Sequence, residues 1–318
     1  MLLKKVNIIY VRKIEAKYFI DPRYRKIPLE IYKIFPGRTQ FFSEIGFGNG
    51  DFLIEKALSK PEAAFIGIEL SLTSVTKLLK KIKDLEINNI AVIMCDAKFA
   101  VREFFDENLD GIFMNFPCPW PKKRHSHRRL NNIGFIESFV SALKKDGFIS
   151  VYSDHFDFIK SFKHSLEVHG CFSDIDLDYN PPMINTKYEK KWKEQRKNIY
   201  HLFANKEKSK IISKIAGGEY MPHVHLGNIR SGQLQDLVGK TFKEGSIFFK
   251  YVELFHSIKT NKYLLQTITV DDDLEQRFFI EVRQKGNDDW LISLYSDGLP
   301  FRTPSVKESI FYLGELLK

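Results

Sequence analysis

From about residue 41 the chain alternates short apolar runs with segments whose apolar residues recur every three or four positions. The runs at 41–45, 64–68, 90–95, 111–116 and 148–153 have strand length and little internal charge. Between or after them, 52–58, 72–82, 99–105, 135–143 and 156–166 carry helical spacing. Continuous apolar strands separated by amphipathic helices predict a parallel sheet covered on both faces. Right-handed crossovers then make this a doubly wound α/β domain. A charged helical stretch, 188–196, leads into a further apolar run at 199–204 that suits a last strand.

The pattern changes near residue 206. Apolar and polar residues alternate through 247–254, 262–270, 277–284 and 289–295, with Asp271-Asp272-Asp273 and Gly286-Asn287-Asp288 between runs as turns. The alternation predicts an antiparallel meander, and helical spacing returns at 306–317. A smaller β-rich C-terminal domain is therefore expected after the α/β domain. No internal repeat or low-complexity segment interrupts either.

Charge divides the chain further. Residues 1–40 hold ten Lys/Arg against three Asp/Glu, a net +7, whereas 41–205 and 206–318 each carry only +1 of the total +9. The expected organisation is a basic N-terminal arm over 1–40, an α/β domain over 41–205 and a β-rich accessory domain over 206–318. A basic arm on a nearly neutral body suits a polyanion, nucleic acid before membrane. No uncharged apolar stretch reaches the roughly 18 residues of a transmembrane helix. The N-terminus mixes Arg12, Lys13, Glu15 and Lys17 among its apolar residues and does not read as a signal peptide. Three cysteines, Cys95, Cys118 and Cys171, show no paired metal spacing. No metal site is expected, and a reducing cytoplasm is the expected location.

Candidate chemistry sits where the strands end. Glu44-Ile45-Gly46-Phe47-Gly48-Asn49-Gly50 follows the first strand of the alternation and precedes a helix. Glycines there let the backbone turn sharply and approach a ligand, and the helix start favours polar or anionic groups. Alone, such a turn suits NAD, FAD or S-adenosylmethionine. Glu69 ends the next strand, placed to accept from both ribose hydroxyls, and Asp96-Ala97 ends the third, an acid and a small residue suited to an adenine edge. Three such positions at successive strand ends favour S-adenosylmethionine. After the fourth strand comes Asn115-Phe116-Pro117-Cys118-Pro119-Trp120-Pro121-Lys122-Lys123-Arg124-His125-Ser126-His127-Arg128-Arg129. Its basic cluster abuts the expected cofactor pocket and suits contact with phosphates.

This run resembles the signature of the bacterial tRNA (guanine-N7-)-methyltransferases, and the resemblance covers residues of about 35 to 204. It includes Glu44, Gly46, Gly48, Gly50, Glu69, Asp96, Ala97, Ser153-Asp154 and Thr186-Lys187-Tyr188-Glu189. It implies a Rossmann-like class I methyltransferase domain that transfers a methyl group from S-adenosylmethionine to N7 of a guanosine in the variable loop of tRNA. The resemblance further implies that Glu44, Glu69 and Asp96, with the glycines, Ala97 and Asn115, bind the cofactor. Lys122, Asp154, Thr186, Lys187, Tyr188 and Glu189 would hold the guanosine, and Arg124, Arg128 and Arg129 would contact tRNA. Some members carry a C-terminal extension like residues 206–318. Whether the chain acts as a monomer or a homodimer stays open.

One position departs from the family. Cys118 stands where the family has Asp, a residue associated with catalysis or the cofactor site. Guanine N7 offers a lone pair and no proton, so methyl transfer there needs positioning rather than a general base. Asp154 is the carboxylate left for the catalytic role. Two other readings remain: a tRNA-binding scaffold of the same fold with little or no turnover, and a cytosine-C5 RNA methyltransferase using Cys118 as nucleophile.

Overall fold

The computed structural model describes residues 18–118, 132–184, 186–195, 197–217, 221–229, 231–272 and 274–318. They fall into two units, Met1–Ser213 and Lys214–Lys318.

In the first unit the elements run β1 (Phe19–Ile20), α1 (Ile31–Ile34), β2 (Phe41–Ile45), α2 (Asp51–Ser59), β3 (Ala64–Glu69), α3 (Leu72–Asp84), β4 (Ile90–Met94), α4 (Ala97–Phe104) and β5 (Leu109–Asn115). They continue with α5 (Ile133–Ala142), β6 (Leu143–Ser153), α6 (Phe156–His169), β7 (Phe172–Asp178), α7 (Lys187–Glu194) and β8 (Tyr200–Lys206). The sheet order is β1-β4-β3-β2-β5-β6-β8-β7. Strands β2 to β6 pair in parallel, as their buried apolar runs predict, β1 joins β4 in parallel, and β8 lies antiparallel between β6 and β7. Phe42, Phe65 and Val92 pack under Leu53 of α2 and Val75, Leu78, Leu79 and Ile82 of α3. Residues of opposite parity, among them Ile66, Ile68, Ile112, Ile149 and Val151, are equally buried. Both faces are therefore covered, which explains why these strands read as continuous apolar runs.

Within this sheet the structure differs from the sequence reading in three places. The sheet begins inside the segment read as a basic arm: Phe19 and Ile20 pair with Val92 and Ile93, and Leu29, Ile31 and Phe35 are buried. Strand β7 was not expected; it forms the far edge beyond β8, and β8 alone runs against the other strands of a sheet expected to be parallel. The fourth strand of the alternation stops at Asn115, because Phe116 takes a left-handed φ of 53°.

In the second unit, β9 (Val224–Leu226), α8 (Ser231–Gln235), β10 (Thr241–Glu244), β11 (Ile247–His256), β12 (Lys262–Asp271), β13 (Leu274–Gly286), β14 (Asp289–Leu294) and α9 (Pro304–Leu317) follow in order. The six strands form one antiparallel sheet, β10-β11-β12-β13-β14-β9. Alternate residues of β11 to β14, including Phe249, Tyr251, Leu265, Ile280 and Ile292, form a core with Val306, Ile310 and Leu313 of α9. The buried Tyr251 hydroxyl donates to the Ser309 carbonyl oxygen at 2.6 Å.

The switch between β2 and β5 matters most for function. Chain order runs from β2 through β3 to β4 on one side and from β5 to β6 on the other, so the helix-bearing crossovers diverge and leave a crevice at the carboxyl ends of these two strands.

Candidate active site

A cleft opens at that switch, lined by Glu44 and Asn115 from the ends of β2 and β5, by the glycine turn, by Phe52 and Ser74, and by Thr186. Gly46 and Gly48 hold φ values of +71° and +55°, and a Cβ at either would meet nothing within 4 Å. The turn is thus a backbone cradle kept open on the ligand side. Gly50 differs. It does not line the cleft, and a Cβ there would stand 2.5 Å from a Leu78 methyl, so this glycine lets α3 pack against the turn. Lys81 braces the same turn by donating to the Asn49 carbonyl oxygen at 2.9 Å and to Asp51 at 2.5 Å.

Glu44 is 2% exposed. Its Oε1 accepts from the Asn115 side-chain amide at 2.9 Å, a bond that bridges β2 and β5 across the switch. Glu44 Oε2 and Asn115 Oδ1 are buried and have no partner among the described residues. Burial pushes the Glu44 carboxyl up to about 8, the nearby charges of Glu69 and Asp51 adding to it and the Asn115 bond opposing it. Two enclosed acceptors at a cleft call for a donor, and a cationic one would meet the Glu44 charge as well.

Glu69 has work of its own. Its Oε2 accepts from the Gly48 N–H at 3.1 Å, and its Oε1 accepts from the N–H groups of Leu70 and Ser71 at 2.8 and 2.9 Å. The carboxylate therefore fixes the glycine turn to the start of α3, while Oε2 retains capacity for one more donor. Asp96 caps α4, its Oδ1 accepting from Lys98 and Phe99 N–H, and Ala97 opens that helix. Neither Asp96 nor Ala97 lines the cleft.

On the other side, Phe52, Tyr152, Ile184 and Ile199 form an apolar cluster with Phe113, Phe116 and Trp192 against it. Phe52 belongs to both cluster and cleft, so the two regions are continuous. Phe116 precedes Pro117, where backbone sterics favour extended conformations, yet it sits at positive φ, tied by its N–H to the Tyr152 carbonyl oxygen at 2.8 Å. The strained residue turns the chain sharply off β5 and leaves Cys118 exposed.

Thr186 and Glu189 form a helix start. Thr186 Oγ1 accepts from the Glu189 N–H at 3.1 Å, and Glu189 Oε2 reaches back to the Ile184 N–H at 2.9 Å. This is the reciprocal logic of a capping box, legible in the Thr-x-x-Glu spacing but not read from it. Asp154 lies after β6 and accepts from the Lys197 ammonium at 2.9 Å. Lys122, Arg124, Arg128 and Arg129 lie outside the described residues, as do the side chains of Lys187 and Tyr188. Asn49, Asp51, Phe52 and Ser74 line the cleft without having been expected there; their place beside the glycine turn was the available signal.

A family model described as a putative methyltransferase matches residues 38–202, the segment that builds this cleft. The chain is 32% identical over 308 residues to tRNA (guanine-N(7)-)-methyltransferase of Thermotoga maritima, covering 95% of this chain and 97% of that protein. The chain belongs to the tRNA (guanine-N(7)-)-methyltransferase family. The Aquifex aeolicus protein of the same name is 29% identical over 286 residues, 86% of this chain and 93% of its own length. In Mycoplasmopsis agalactiae the match, 36% identical over 169 residues, covers 51% of this methyltransferase and 82% of that shorter relative. The methyltransferase uses S-adenosylmethionine, and the site fits it. The open glycine cradle and the unpartnered Glu44 and Asn115 oxygens suit the amino-acid end of the cofactor, whose ammonium is the donor they lack. Membership also sets aside the cytosine reading of Cys118, because the acceptor nitrogen of guanine needs no thiolate.

Proposed function

We propose that this methyltransferase modifies N7 of a guanosine in the tRNA variable loop, with cofactor and base meeting where the cleft joins the aromatic cluster. The guanosine N7 follows from the relatives named above, and the observation that supports the cofactor's place is the pair of buried, unpartnered acceptors, Glu44 Oε2 and Asn115 Oδ1, beside glycines held open. The cofactor supplies an electrophilic methyl group on a positively charged sulfur.

The chain's own residues do the rest. Glu44, Gly46, Gly48 and Asn115 bind the cofactor's amino-acid portion, and Glu69 accepts from its ribose through the capacity left on Oε2. Asp96 and Ala97 flank the adenine. Asp154 accepts from the N–H edge of the guanine, orienting N7 for in-line attack. Thr186 and Glu189 shape the wall of the base pocket by holding the first turn of α7, and Lys122, Lys187 and Tyr188 complete the guanosine site. Arg124, Arg128 and Arg129 neutralise tRNA phosphates. No general base is required, so positioning and charge complementarity supply the acceleration.

The test is incubation of the full chain with tRNA and methyl-labelled S-adenosylmethionine, followed by nucleoside analysis and mapping of the labelled fragment. Label in 7-methylguanosine of the variable loop is expected. Label confined to another nucleoside, or to a guanosine elsewhere in the tRNA, would overturn the assignment.

A further inference from the structure

The Lys197 ammonium lies 3.4 Å from the centroid of the Trp192 ring and 2.9 Å from Asp154 Oδ2. A second ammonium, that of Lys191, lies 4.8 Å from the same centroid. Trp192 packs on the cluster of Phe52, Tyr152, Ile184 and Ile199, and Phe52 also lines the cofactor cleft. The Asp154 side chain is 20% exposed and that of Lys197 41%, so the cation caps the arrangement from its solvent side. An indole face and a carboxylate converging on one point are a binding site for a flat or compact cation.

We propose that Trp192 and Asp154 form a cation cradle for the guanine, that Lys197 holds its place when no base is bound, and that Trp192 is a further catalytic residue. The inference rests on the guanine-N7 reading. In that reaction the N7 lone pair forms the bond to the methyl carbon as the methyl–sulfur bond breaks and its electrons stay on sulfur. The positive charge thereby passes from sulfur to the base, and no proton moves. A base stacked on Trp192 with its N–H edge on Asp154 is held more tightly as it becomes cationic. Interactions that strengthen along the reaction raise kcat rather than merely lowering KM. Lys197 occupies both partners, so it must leave as the base enters. It competes equally with neutral and cationic bases.

Calorimetric titration of the full chain with guanosine 5′-monophosphate and with 7-methylguanosine 5′-monophosphate tests this directly. The wild-type protein is expected to bind the methylated nucleotide about tenfold more tightly, the scale of a desolvated cation–π contact. Lys197→Met should tighten both nucleotides by a common factor and leave their ratio unchanged. Trp192→Leu should cut the ratio severalfold, to the part that Asp154 alone supplies, and lower kcat more than it raises KM, and Trp192→Phe should fall between. Unchanged S-adenosylmethionine binding in each variant reports that the fold is intact. A wild-type ratio near one, a ratio undiminished in Trp192→Leu, or Lys197→Met with unaltered affinities would overturn the proposal. Wild-type protein that forms no 7-methylguanosine in tRNA would instead remove the reading beneath it.

Discussion

Glu44 is ionisable, enclosed and half partnered, with Asn115 on Oε1 and nothing among the described residues on Oε2. Burial raises its carboxyl from 4.5 to about 8, so near neutral pH the folded protein holds a proton there that the unfolded chain releases. Between those two values, stability contributed by this group falls as pH rises, because the folded state is the one that binds the proton. A cationic donor reverses the preference by stabilising the carboxylate. Binding of S-adenosylmethionine at pH 7 should therefore expel about one proton from Glu44. Calorimetry in buffers of different ionisation enthalpy measures this, and Glu44→Gln should abolish the release; identical release by that variant would assign the proton elsewhere. Cys118 makes the opposite case. It is exposed, and N7 chemistry asks nothing of a thiol, so Cys118→Ser should retain most activity. Asp154→Ala, which removes the carboxylate proposed to orient the base, should lower the rate on the order of a hundredfold. A dead Cys118→Ser enzyme beside an active Asp154→Ala enzyme would invert both roles.

At the scale of elements, the start of α7 shows how a chemical motif can also be architecture. Thr186 and Glu189 satisfy N–H groups that the helix cannot, and both are buried. Thr186→Ala should cost about 1 kcal/mol, the usual loss of an N-cap side chain. Denaturant unfolding of the cofactor-free protein measures it, and an unchanged midpoint would show that the cap is not sustaining the helix. The central strands were legible because burial on both faces leaves mostly apolar residues in them. Strand β1 was not: it is two residues long, in a segment dominated by Lys and Arg. Strand β7, Phe172–Asp178, alternates Phe, Ile and Leu with Asp at the sheet edge, and that charge hid it. Strands β9 and β10, of three and four residues, fall below the length at which alternation is informative. The candidate site divides the same way. The glycine turn and the acids at strand ends stand beside recognisable periodicity. The meeting of Asp154, Trp192 and Lys197 joins residues 38 and 43 positions apart, and only the fold brings them together.

For the whole molecule, the last strand of the first unit does not mark its end. The Lys206 side chain, 0% exposed, donates to Glu107 and, at 2.6 Å, to the Leu143 carbonyl oxygen where β6 begins. Ser209 donates to the same Glu107, Lys210 pairs with Glu137, and Arg102 donates to the Ser213 carbonyl oxygen at 2.9 Å. Residues beyond 205 thus tie the edge of the sheet to the loop before β5 and to α4 and α5, although the change in sequence pattern falls at about 206. A fragment ending at Ser213 should fold and bind S-adenosylmethionine with the affinity of the full chain, since every cleft residue lies within it. A fragment ending at Asn205 loses Lys206 and with it a donor to the buried Leu143 carbonyl oxygen. It should be about 2 kcal/mol less stable than the longer one, the cost of a buried acceptor left without its donor. Thermal unfolding of the two fragments side by side reads the difference, and calorimetric titration with S-adenosylmethionine reads the site. Equal stability would mean that residues 206–213 contribute nothing to the first unit. A Ser213 fragment that folds but cannot bind the cofactor would show that the second unit completes the cleft, and the independence of the two units would have to be given up.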